Sequence, residues 1–124
     1  MSATQVLSGK KVSQYIYESL ASRIKTLKNL NIIPSLAAVL VGNNPASAVY
    51  VRSKERQFSN LQLHTKTFRL NQNLTELELL QLLDDLNHDD KYHGILIQLP
   101  LPKHLDAQKI LWSIDPRKDV DGFH

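Results

Sequence analysis

Val12, Ile16, Leu20, Ile24 and Leu27 recur at three- and four-residue spacing, with lysines and an arginine between them. That period predicts an amphipathic helix over 12–30, stopped by Asn31 and Pro34. The pattern then changes. Ser35–Val41 is a short apolar run between Pro34 and Gly42 and predicts a buried strand. The turn Gly42-Asn43-Asn44-Pro45 follows. Asn44 suits an N-cap, and Pro45 suits the first helical position, where its missing N–H costs nothing. A second helix is therefore predicted from Pro45 to about Ser59. Leu63–Leu70 is less apolar and predicts a strand nearer a sheet edge. Thr75-Glu76-Leu77-Glu78 reads as a capping box. It opens a helix that carries Leu79, Leu80, Leu82, Leu83 and Leu86 and ends near His88. His93–Leu99 is the most apolar of the three strand segments, Asp106–Ile114 is a short helix, and 115–124 is a polar loop.

Strands that alternate with helices predict an α/β fold: a three-layer αβα domain with a mainly parallel sheet and right-handed crossovers. Such sheets bind ligands beyond the C-terminal ends of their strands, which points to Gly42–Lys54 and Gln98–His104. The length of 124 residues and the 42% hydrophobic content suit one globular domain. There is no cysteine, which removes disulfides, thiolate metal sites and a cysteine nucleophile. The formal charge of +3 is scattered rather than gathered into a basic stripe with aromatics between, so nucleic acid is not expected as a partner. A modest positive balance suits a small anionic substrate equally well. No apolar run is long enough to cross a membrane, and MSATQVLSGKK lacks the apolar segment of a signal peptide, which fits a cytoplasmic protein. With four glycines and neither GxGxxG nor a P-loop, the chain offers no usual nucleotide cradle.

Ser47, Tyr50 and Lys54 share one face of the second helix at spacings of three and four. A hydroxyl, a phenol and an ammonium in one column can orient a substrate and move protons. The same column, flanked by Arg52, Glu55 and Arg56, also suits an ordinary solvated face, which is the commoner meaning of such spacing. Gln98 ends the third strand, and Pro100 and Pro102 stiffen the loop after it. Its amide either caps the sheet end or faces a ligand. The loop Asp115–Gly122 holds three carboxylates without the spacing of a calcium loop, so no metal is assigned. It is either a salt-laced turn or the source of a carboxylate that accepts paired hydrogen bonds from a heterocycle. His64, His88, His93, His104 and His124 show no ligand spacing. Trp112 and Phe68 are expected in the core.

Three segments then combine. Val41–Lys54 (VGNNPASAVYVRSK), Gly94–His104 (GILIQLPLPKH) and Pro116–His124 (PRKDVDGFH) resemble, in order, three signatures of the bifunctional methylenetetrahydrofolate dehydrogenase/methenyltetrahydrofolate cyclohydrolase family. The resemblance spans essentially the whole chain and is weakest in 1–30 and 60–90. One departure follows the second helix, where the family often has a glycine and this chain reads Ser59-Asn60-Leu61. The resemblance implies that Tyr50 stacks on the substrate's aminobenzoate and that Lys54 is the central catalytic group. Gln98 would position Lys54, Ser47 would support it, and Asp121 would bind the pterin. Leu99, Pro100 and Pro102 would wall the pocket. It further implies one-carbon metabolism feeding purine biosynthesis, a homodimer when full-length, and NADP bound by a C-terminal Rossmann domain. Residues 1–124 would then be the catalytic folate-binding domain alone, a fragment whose cofactor-binding residues lie elsewhere. The alternative from another class is a non-catalytic folate-binding or interaction module.

Overall fold

The computed structural model describes residues 9–123. His124, among the histidines considered above, lies outside them. Residues up to Ile33 and residues from Pro34 onward form two compact units.

The first unit contains α1, Gly9–Asn29. It starts three residues before the predicted Val12, because Gly9, Lys10 and Lys11 lack the apolar period that marks the rest. Its end is a Schellman motif. Ile32 N donates to Leu27 O at 2.9 Å and Asn31 N to Lys28 O at 2.9 Å. Asn31 takes φ 61°, a left-handed conformation that asparagine tolerates better than most residues.

The second unit runs β1 (Ser35–Val41), α2 (Pro45–Asn60), β2 (His64–Leu70), α3 (Glu76–Asn87), β3 (Gly94–Ile97) and α4 (Ala107–Trp112). The sheet order is β2-β1-β3 and both pairings are parallel. β1 is central, and Leu36–Val41 are all buried because helices cover both faces of the sheet. Ala37, Val39, Val41, Ile95 and Ile97 join Leu79, Leu83 and Leu86 of α3 and Ile110 of α4 in one core. α2 packs on β1 and β2, with Val51 buried. This is the predicted three-layer αβα arrangement.

Local chemistry set most of the boundaries. Asn44 Oδ1 accepts from Ala46 N at 3.0 Å and Ser47 N at 3.2 Å, with Pro45 at the start of α2. Both halves of the Thr75–Glu78 capping box are present. β3 is shorter than the predicted 93–99. Gln98 N still donates to Val39 O at 2.9 Å, but pairing ends two residues before Pro100, which has no N–H to continue it. Phe68 is half-buried against the core and meets Tyr92 edge-on at 6.0 Å. Trp112 is not in the core as expected. It is 60% exposed, because α4 turns Ile110 inward and Trp112 is two residues, roughly 200°, further round the helix.

α2 also ends in a Schellman motif, with Leu63 N donating to Phe58 O at 2.8 Å and Gln62 N to Ser59 O at 2.9 Å. The residue with positive φ is Gln62, at 57°. Glycine would adopt this conformation without the Cβ penalty. Gln62→Gly is therefore expected to stabilise the chain by about 0.5 kcal/mol, the left-handed penalty less the added entropy of the unfolded glycine. A thermal midpoint that is unchanged or lower than wild type would count against this account.

Candidate active site

The predicted residues come from three places: α2, the loop after β3, and the 115–122 segment. Ser47, Tyr50 and Lys54 occupy α2 at the anticipated spacing, but their surroundings differ. Ser47 is 2% exposed and Tyr50 61% exposed, with Lys54 half-buried between those extremes. The column thus runs along the border of the helix's buried stripe.

Lys54 Nζ donates to Gln98 Oε1 at 2.9 Å. Gln98 Nε2 donates to Leu99 O at 3.3 Å, which fixes which end of the amide faces the ammonium. Leu99 O also accepts from Ser47 Oγ at 3.3 Å. Four residues from two elements therefore form one relay of polar contacts: Ser47 steadies Leu99, Leu99 orients Gln98, and Gln98 holds Lys54. Gln98 does more than cap the sheet end. Its backbone closes the sheet ladder, and its side chain reaches across to α2. Ser47 has its hydroxyl directed to Leu99.

The Leu99–Pro100 peptide is cis. Pro100, Leu101 and Pro102 line a cavity of about 340 Å³ with Gly42, Asn44 and Gln72, at the C-terminal ends of the strands. A neighbouring groove of about 750 Å³ reaches Arg69, Asn71 and Asn73. Sequence reading had not singled out these amides and Arg69, because their proximity depends on β1 and β2 ending side by side.

Asp121 joins the site electrostatically. Its carboxyl is pushed above the usual carboxylate range, first by burial against the protein; the Lys54 ammonium opposes this, and Asp119 adds to it. The residue as a whole remains exposed, so the effect reflects one shielded carboxyl and not an enclosed side chain. Asp115 behaves in the opposite way. Arg117, through its guanidinium and its backbone N–H, lowers Asp115 to about 2. The start of the 115–122 loop is thus the salt-laced turn, with the Arg117–Asp115 pair at 2.7 Å.

Among the described residues, no three His, Asp or Glu side chains gather as a metal site. His93 Nδ1 accepts from Ser35 N at 3.1 Å, and His104 Nε2 lies 2.8 Å from Leu74 O, so both serve local structure. No helix among the described residues is long and apolar enough to cross a membrane.

The chain is thus a parallel αβα unit with an ammonium held by a glutamine amide at the C-terminal edge of its sheet. The chain belongs to the family described as the tetrahydrofolate dehydrogenase/cyclohydrolase catalytic domain, whose sequence model matches residues 7–121. Similar proteins include the bifunctional protein FolD of Acetivibrio thermocellus, 48% identical over 120 residues. That of Campylobacter concisus is 50% identical over 120 residues. In both, the match covers 97% of this chain and 42% of the relative, so the chain spans about two-fifths of their length. Among solved structures, the bifunctional FolD methylenetetrahydrofolate dehydrogenase/cyclohydrolase of Campylobacter jejuni aligns with a TM-score of 0.94 and 48% identity. The alignment covers 98% of this chain and 43% of that one. The FolD of Trypanosoma brucei, solved with NADP and an inhibitor, aligns with a TM-score of 0.85 and 28% identity, over 98% of this chain and 41% of that one.

Proposed function

We propose that this chain forms the folate-binding half of a bifunctional enzyme. That enzyme oxidises 5,10-methylenetetrahydrofolate to the 5,10-methenyl form with NADP, then hydrolyses it to 10-formyltetrahydrofolate. The observation that carries the reading is the 2.9 Å hydrogen bond from Lys54 to Gln98, on a helix–strand pair within a member of this family. A binding module with no chemistry would have no need of an oriented ammonium beside the ligand edge.

In this reading Tyr50, exposed on α2, offers its ring to the aminobenzoate, and Asp121 accepts from the pterin's amino and ring N–H groups. Leu99, Pro100 and Pro102 wall the pocket. Ser47 acts from behind, supporting Lys54 through Leu99 and Gln98. Gln98 keeps Lys54 facing the reacting carbon. In hydrolysis, water adds to the cationic methenyl carbon. Both of its protons must leave the oxygen, which becomes the formyl carbonyl: one is released, and one reaches the ring nitrogen whose bond to that carbon breaks. Lys54 Nζ, mobile on its stem but held by one acceptor, carries that proton.

The described residues do not fit a dinucleotide: there is no Gly-rich turn opening a helix here. NADP is therefore assigned to the region of the relatives that this chain does not span, and no part of hydride transfer is drawn through these side chains. In the same reading the whole protein is a cytoplasmic homodimer of one-carbon metabolism, supplying purine biosynthesis. The test uses the chain fused to the C-terminal part of the Campylobacter jejuni relative, with methenyltetrahydrofolate hydrolysis followed by absorbance. Hydrolysis above the uncatalysed rate is expected; none from a folded fusion would overturn the reading.

A further inference from the structure

Asp121 sits in a segment that looks like a surface loop in sequence, yet its position is held from two sides. Lys118 is the residue common to both. Its Nζ donates to Leu86 O and to Asp89 O, each at 2.9 Å, at the C-terminal end of α3. Leu86 O lies in the last turn of α3, at the negative end of the helix dipole, and Asp89 O in the turn just beyond it, so an ammonium is well matched to the pair. The backbone carbonyl of the same residue accepts from Ile95 N at 2.8 Å, and Asp119 continues the contact as a parallel bridge to Ile95. Asn87 adds a further tie from α3: its Nδ2 donates to Ser113 O, and its Oδ1 accepts from Asp115 N, both at 2.8 Å.

The sheet side is shaped to receive this segment. A Cβ on Gly94 would lie 2.5 Å from Val120 Cγ1, so only glycine lets Val120 lie against β3. Beyond Val120, Asp119 Oδ1 accepts from Gly122 N at 3.1 Å, and Gly122 takes φ 69°. Asp121 is carried inside that turn.

We propose that Lys118 is a positioning residue for ligand recognition: by clamping the 115–122 segment to α3 and β3, it sets where Asp121 meets the heterocycle. The inference rests on the folate reading, in which Asp121 serves the pterin and Tyr50 the aminobenzoate. It goes further by making recognition of the two halves of one ligand separable. A loosened clamp weakens the pterin contact and leaves the α2 contact untouched.

The experiment measures binding to this chain of tetrahydrofolate and of p-aminobenzoylglutamate, which lacks the pterin, by NMR titration. Lys118→Met is expected to weaken tetrahydrofolate by about tenfold, the loss of a charge-assisted hydrogen bond, with p-aminobenzoylglutamate unchanged. Lys118→Arg, which keeps a cation at the carbonyls, is expected to recover part of the loss. Unchanged tetrahydrofolate affinity, or equal loss of both ligands, would overturn the inference. Failure of the wild-type chain to bind tetrahydrofolate would instead overturn the folate reading on which it rests. If Lys118→Met does not fold, Gly94→Ala displaces the same segment from the sheet side and is expected to give the same selective loss. Adding Val120→Ala should relieve the clash and restore binding, and a lack of recovery would again overturn the proposal.

Discussion

Lys54→Met is expected to lower methenyltetrahydrofolate hydrolysis on the order of 10²–10⁴-fold, the usual contribution of a positioned proton carrier. Methionine keeps the unbranched stem and removes only the group that donates to Gln98 at 2.9 Å. Because Tyr50 and Asp121 remain in place, folate binding should survive, so the loss falls on turnover. Lys54→Arg makes the distinction sharper. Arginine can still donate to Gln98, but it does not release a proton under physiological conditions. Retained binding without hydrolysis in the arginine variant therefore identifies proton movement, not placement, as the function of Nζ. Near-normal hydrolysis by the methionine variant in the fused protein would sink the assignment.

Asp121→Ala should cost about 10–100-fold in affinity for pterin-bearing ligands, the range for a lost hydrogen-bonding charge. The pH dependence has a definite sign. Desolvation raises the Asp121 carboxyl above its unfolded value, Lys54 opposes that rise, and Asp119 adds to it. A raised group contributes stability that is fully present below the unfolded value and is lost as pH rises through the folded value. At neutral pH the ionised carboxylate therefore does not help folding, and Asp121→Asn should melt no lower than wild type while still binding pterin poorly. Ligand affinity should strengthen as pH rises through the Asp121 value, because the ionised form is the acceptor. In Lys54→Met the opposing charge is gone, so that transition should move upward. Calorimetric titrations of the wild type and both variants across mildly acidic pH check this. A pH profile of affinity unaffected by Lys54→Met would separate the two residues, and unchanged affinity in Asp121→Ala would remove it from the pterin site.

A site residue whose neighbours are near in sequence is far easier to find than one held by distant elements. Ser47, Tyr50 and Lys54 could be grouped because helical geometry alone puts residues three and four apart on one side. Gln98 could be put at the ligand edge because Pro100 marks the end of a strand. Neither consideration reveals that Ser47 is buried and Tyr50 exposed, since that depends on which way α2 rolls against β1 and β2. Asp121 could not be placed by the strand-and-helix argument. The sequence Asp115–Gly122 looks like solvent-exposed turn, and its attachment to β3 depends on an absent Cβ at Gly94, 27 positions earlier. Lys118 was passed over for the same reason: its partners, Leu86 and Asp89, are about 30 residues away. Trp112 erred in the other direction, because hydrophobicity was allowed to stand for burial on a helix too short to show its phase.

By itself the sequence determined the elements, their order, the parallel αβα class and the three signatures that mark the family. These depend on periodicity, caps and proline positions, all of which act over a few residues. The tertiary structure alone decided the relay from Ser47 through Leu99 and Gln98 to Lys54, and the clasp that brings Asp121 near it. Ser47 and Leu99 are 52 positions apart, Lys54 and Gln98 44, and Lys118 and Leu86 32; such pairs meet only when strands lie in register and helices pack across them, and no local pattern encodes that register.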